Sequence, residues 1–134
     1  MIVVSATLPI MTMAWPISAA DTKPRITGIY SDMSYHQESG DLVGTEIFVV
    51  YTPNEYVAFF QNWEGGSSRP VVVPVQVSGD TIAFKVPEPS LGAGEYIGRV
   101  GKTGFDGTVR YRRPDGTSGK AEPIHLKRKK SYWQ

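Results

Sequence analysis

Val71, Val73, Val75 and Val77 recur at every second position between Arg69 and Ser78, the spacing that puts side chains on one face of an extended strand. Gly79-Asp80 then provides tight-turn chemistry, and Ile82, Phe84 and Val86 alternate with Ala83 and Lys85 on the far side of it. The same reading cuts the rest of the chain into about eight strands. They run Arg25 to Met33 (continuing as far as His36), Leu42 to Thr52, Glu55 to Trp63, Arg69 to Ser78, Thr81 to Val86, Gly94 to Val100, Gly104 to Arg112, and Lys120 to Lys130. Ser39-Gly40-Asp41, Pro53-Asn54, Gly65-Gly66, Gly101-Lys102-Thr103 and Pro114-Asp115-Gly116 separate them. No long window shows the i, i+3, i+4, i+7 apolar spacing of a helix. The fold class is all-β.

Turns spaced by roughly 8–12 residues mark a sandwich or a barrel. Short successive connections favour an up-and-down meander, and closing eight strands removes both exposed edges. The expected architecture is therefore a small antiparallel up-and-down β-barrel, closed or nearly so, with a two-sheet β-sandwich as the alternative. Pro74 lacks a ladder donor and predicts a free side or a bulge in its strand, the place where closure would fail. Phe48, Phe59 or Phe60, Phe84, Phe105 and Tyr111 fall on strands and are expected to fill the interior.

Two short stretches carry a family resemblance. Ile26-Thr27-Gly28-Ile29-Tyr30 in the first strand, followed by Gly40-Asp41-Leu42-Val43-Gly44-Thr45-Glu46, resembles the way small calycin barrels of the lipocalin and avidin type begin. The likeness spans about twenty residues and lacks counterparts of the avidin-type pocket tryptophans and of lipocalin disulfides. It implies a barrel with a small-molecule cavity at one mouth, and names no ligand. Tyr30 and Trp63 are the expected ligand contacts at such a mouth.

Composition changes the picture at the amino terminus. Residues 1–20 contain no charged side chain; an apolar run through Ile17 precedes Ser18-Ala19-Ala20, small residues suited to cleavage before Asp21. That pattern reads as a secretory signal peptide, although no Lys or Arg follows Met1. An uncleaved anchor is the competing reading, made poorer by Pro9 and Pro16. Residues 21–134 form the single expected domain. That segment has 12 valines, 6 isoleucines and 8 threonines against 3 leucines and 4 alanines, which reinforces the strand assignment. Nothing after residue 20 is apolar for long enough to span a bilayer. The expected location is secreted or periplasmic.

The 134 residues carry 14 Lys+Arg and 13 Asp+Glu, a formal net charge of +1. The balance hides an asymmetry: residues 21–98 hold 4 basic and 10 acidic side chains, and residues 99–134 hold 10 basic and 3 acidic. Alternation on the last two strands points Arg110, Arg112, Lys127 and Lys129 outward, and their adjacency predicts a basic stripe on the barrel exterior. An anionic envelope component or acidic protein is the partner such a stripe implies. Edge protection by a lysine-rich tail is the plainer explanation of Lys127-Arg128-Lys129-Lys130. Nucleic acid does not suit an exported chain with this overall charge.

Catalytic chemistry has little support. Without cysteine the chain excludes disulfides, thiolate metal sites and a cysteine nucleophile. There is no Gly-x-Ser-x-Gly, no glycine-rich phosphate loop and no Ser–His pair with a third group. Asp32, His36 and Glu38 share strand parity and could gather round a cation, but acidic residues and glycine are expected at a hairpin end in any case. No metal, no cofactor and no enzymatic activity are expected. The reading is an exported binding module; the alternatives are a carrier of a small apolar ligand, or an inhibitor of an envelope hydrolase presenting Glu64-Gly65-Gly66 or Pro87-Glu88-Pro89-Ser90-Leu91.

Overall fold

The computed structural model describes residues 25–66 and 68–130; the expected signal segment lies outside the described residues. Among the described residues nine strands form: β1 (Gly28–Ser31), β2 (Ser34–His36), β3 (Asp41–Tyr51), β4 (Tyr56–Glu64), β5 (Val71–Ser78), β6 (Thr81–Val86), β7 (Gly94–Val100), β8 (Gly104–Tyr111) and β9 (Glu122–Lys129). From β3 to β9 each strand pairs antiparallel with the next in sequence. β1 closes the ring by pairing with β9 on one side and β3 on the other. The result is a closed, eight-stranded antiparallel barrel with β2 as an extra strand, not a sandwich.

The expected first strand splits in two. β1 pairs with Glu46 to Val49 and β2 with Asp41 to Val43, so both lie along one edge of β3. Asp32 interrupts them: its carboxylate accepts from the Thr45 N–H at 2.6 Å while its own N–H donates to the Thr45 carbonyl at 3.1 Å. A side-chain oxygen thus replaces a ladder acceptor, and the chain kinks. Gly44 (φ +122°) accepts the kink, since a Cβ there would sit 2.8 Å from the Asp32 carboxylate and the Met33 Cα. Beyond that point β1 diverges to meet β9.

Closure holds at Pro74. That residue pairs with Val57 on β4, whereas the β5–β6 ladder spans only Val75 to Ser78 and begins one residue later. The missing N–H therefore faces no β6 partner, which is how a proline survives inside a barrel strand. The expected free side is there; the failure of closure is not.

The inner faces make one core. Ile47, Val49, Ala58, Phe60, Val73, Ile82, Phe84, Tyr96, Phe105, Val109 and Leu126 are all buried in it. Phe84 stacks on Tyr96 at 4.9 Å, and Phe60 lies 5.2 Å from the same ring. Gly98 and Gly107 pair across β7 and β8, and the Phe105 ring occupies the space their side chains would fill. Large rings over a glycine pair fill the barrel to its axis. Phe48 departs from expectation, and of Phe59 and Phe60 it is Phe60 that fills the interior: Phe48 and Phe59 point outward, 40% and 43% exposed, because Ile47, Val49, Ala58 and Phe60 hold the inner parity.

Candidate functional site

One end of the barrel is sealed by an arginine. On β9 the inner parity falls on Ile124, Leu126 and Arg128, so Arg128 turns inward while Lys127 and Lys129 turn outward. Its guanidinium lies 4.8 Å from the Tyr30 ring centroid, donates to the Tyr30 hydroxyl at 2.9 Å, and reaches the carbonyls of Arg25 (2.6 Å), Thr27 (3.2 Å) and Gly101 (3.3 Å). Tyr30 in turn donates to the Ile26 carbonyl at 2.5 Å. This planar fork ties the segment before β1, β1 itself and the β7–β8 turn into one plug. Burial pushes the Tyr30 phenol up, against the opposing pull of Arg128. Tyr30 was expected to contact a ligand at a mouth; it is instead fully buried, with its hydroxyl and ring both occupied by the chain itself.

Outside this plug lies a basic groove of about 470 Å³, bordered by Lys102, Thr103, His125, Lys127, Lys129 and Lys130, with Arg128 at its floor. Lys102, Lys127 and Lys130 make no ion pair among the described residues. The His125 Nδ1 is in close contact with the Asp106 carboxylate. The groove exists because the turn between β7 and β8 brings Lys102 beside the carboxyl-terminal half of β9, where Lys127 pairs with Gly104.

The expected stripe is not continuous. β8 and β9 are antiparallel, so the late residues of one strand lie beside the early residues of the other. Gly104 faces Lys127 and Val109 faces Glu122; Arg110 is therefore six residues along β8 from the Lys127 row, about 20 Å at strand rise. Arg110 also sits opposite Glu95, which reaches Lys85 at 3.8 Å. Arg112 lies at the far mouth, bridged to Ser118. Lys127 and Lys129 remain in one cluster, joined by Lys102 and Lys130. Alternation gave the correct faces, but facing outward says nothing about height along the barrel.

The opposite end is a polar mouth. Asn62, Glu64, Tyr111, Arg112 and the segment Glu88 to Ala93 line a cleft of about 530 Å³. Thr45 Oγ1 donates to Asn62 Oδ1 at 3.3 Å, and Tyr96 donates to the Gly92 carbonyl at 2.7 Å, which pins the connecting segment across the mouth. Burial raises the Tyr111 phenol, and the Glu122, Asp32 and Glu64 carboxylates raise it further. Trp63, between Asn62 and Glu64, does not line this cleft: it falls on the outer parity of β4 opposite Gly44, with its buried Nε1 lacking a hydrogen-bond partner among the described residues. Asp32 directs its carboxylate to Thr45, and no group of three or more metal-ligating side chains is present among the described residues. No helix among them is long and apolar enough to cross a membrane.

Comparison with protein-family models, with curated proteins and with solved structures found no match. The geometry defines the class of the protein as a closed antiparallel β-barrel with one sealed basic end and one polar mouth.

Proposed function

We propose that the protein is an exported binding module, not an enzyme, that engages anionic envelope material with the sealed end of its barrel. One observation carries this reading: Lys102, Lys127, Lys129 and Lys130 converge on a single groove, three of them without an ion-pair partner among the described residues. Like charges gathered round one concavity raise its potential and concentrate anions there. The floor is rigid, since Arg128 is held by four chain oxygens. The calycin-like beginning of the chain, Gly28-Ile29-Tyr30, is in keeping with a barrel used as a recognition scaffold. The carrier alternative is less well supported, because Tyr30, Phe60, Tyr96 and Phe105 occupy the interior.

The test compares two charge reversals against a soluble polyanion, dextran sulfate, in low salt. The double substitution Lys127→Glu with Lys130→Glu should weaken binding by about tenfold or more, with binding that falls as salt rises. Reversing Arg110 and Arg112, at the other end, should leave it within about twofold. Binding that ignores both salt and the Lys127/Lys130 reversal overturns the proposal.

A further inference from the structure

The outer surface from β1 to β5 is apolar in a way the fold does not require. Register places Lys129, Ile29, Phe48, Phe59 and Val72 side by side, one from each of five adjacent strands. Directly above them Val50, Val57 and Pro74 form a second such row. Phe48 and Phe59 are stacked at 6.0 Å, and Val72 is 57% exposed. Apart from Lys129 at one end, these are side chains without hydrogen-bonding atoms, and β3 and β4 between them are paired on this stretch along both edges. An occupant of this face gains apolar contact, and the edge left on β5 ahead of its ladder with β6, Val71 to Pro74, is short and interrupted by a proline, which disfavours an extended peptide.

Charge sets the second half of the argument. A groove of about 570 Å³ runs along the outer junction of β1 and β3, where Ile29, Phe48, Val50 and Tyr51 meet Arg25 and Lys129. It shares Lys129 and Arg128 with the basic groove of the sealed end, so apolar and cationic surfaces are continuous. Tyr51, 62% exposed at the end of β3, lines this groove with its ring 4.8 Å from that of Tyr56. Among the described residues Glu46 is the acidic side chain in these outer rows; it lies one row below Phe48, away from Arg25 and within the field of Lys129.

We propose that this face docks on the surface of an anionic lipid bilayer, with Phe48, Phe59 and Val72 against acyl chains and Arg25, Lys127 and Lys129 among the headgroups. Paired apolar and basic signals are what reversible membrane attachment requires, since either alone is weak. The inference rests on the proposed anion-binding function and names its partner.

Vesicles of pure phosphatidylcholine and vesicles containing phosphatidylglycerol provide the probe, with dextran sulfate as the soluble comparison. The double substitution Phe48→Ser with Phe59→Ser should reduce partitioning onto the anionic vesicles by about tenfold or more and leave dextran sulfate binding unchanged. Both residues point away from the core, so an unaltered thermal melt verifies that the variant folds. Unchanged vesicle partitioning of that variant overturns the lipid inference while the anion-binding function stands. A dimer that hides Phe48 and Phe59, broken by the same substitutions with no effect on vesicles, also overturns it. Loss of dextran sulfate binding through Lys127→Glu with Lys130→Glu tests the broader function separately.

Discussion

The outer surfaces of β3–β5 and of β6–β9 cover the same core with opposite chemistry. On the second arc the rows read Lys85, Glu95, Arg110 and then Arg99, Asp106, His125, so that unlike charges face one another across each ladder. Asp80 Oδ2 accepts from both Nη2 and Nε of Arg99, at 2.5 and 3.0 Å, which holds the Asp80 carboxyl below the usual range. These rows pair their charges, while Ile97 between them is 54% exposed and Lys127 and Lys129 leave the β9 side of the arc basic. The first arc instead shows Phe48, Val50, Val57, Phe59 and Val72. Since both arcs bury alternate residues equally well inside, barrel stability does not select the apolar exterior. The proposed docking surface would account for it.

The largest effect expected from this contrast separates two adjacent residues. Phe60 is 1% exposed among Phe84 and Tyr96, whereas Phe59 faces out beside Phe48. Phe60→Ala should cost about 3–5 kcal/mol in urea unfolding, through lost transfer energy and the cavity left behind. Phe59→Ala should stay within about 1 kcal/mol. Similar losses for the two would mean that the outer arc is part of the core, and the contrast between arcs would collapse.

Much of the fold is legible in the sequence where alternation is clean. The valines of β5 and the Ile82, Phe84, Val86 set of β6 announce both strand and inner face, and seven of the nine strands begin and end within a few residues of their turn signals. The break at Asp32 is not legible, because it depends on one carboxylate finding one distant N–H. The outer apolar arc is illegible for a different reason. Ile47-Phe48-Val49-Val50-Tyr51 and Tyr56-Val57-Ala58-Phe59-Phe60 are apolar at both parities, and a period of two cannot say which parity faces in. That absence of alternation was itself the available signal. The basic site was half legible: Lys127 and Lys129 follow from parity, while Lys102 joins them only through the antiparallel return.

A second, smaller contrast lies within β9, between the inward and outward cations. Arg128 satisfies four oxygens and covers the Tyr30 ring. Arg128→Ala removes the guanidinium donor from three carbonyls and uncovers the Tyr30 ring at a barrel end, and should cost about 2–3 kcal/mol by the same measurement. Lys129→Ala, one residue away and pointing out, should cost no more than about 0.5 kcal/mol. If Arg128→Ala is equally mild, the sealed end is not a structural plug, and Arg128 belongs with the binding cations.

The smallest effect concerns Glu46, at the lower border of the apolar arc. Burial raises its carboxyl above the ordinary value, with the Ser31 hydrogen bond and the charge of Lys129 pulling the other way. A carboxyl whose pKa is higher folded than unfolded favours the folded state most below the unfolded value. That contribution is lost as pH rises through the folded value. At neutral pH the charged Glu46 is therefore a net cost of carrying an acid against an apolar face. Glu46→Gln removes the charge and should raise the melting temperature at pH 7 by on the order of a degree, a gain that disappears below about pH 4. A lower melting temperature for the Gln variant at pH 7 would show that Ser31 and Lys129 outweigh the burial, and that the boundary of the apolar arc lies above Glu46 rather than at it.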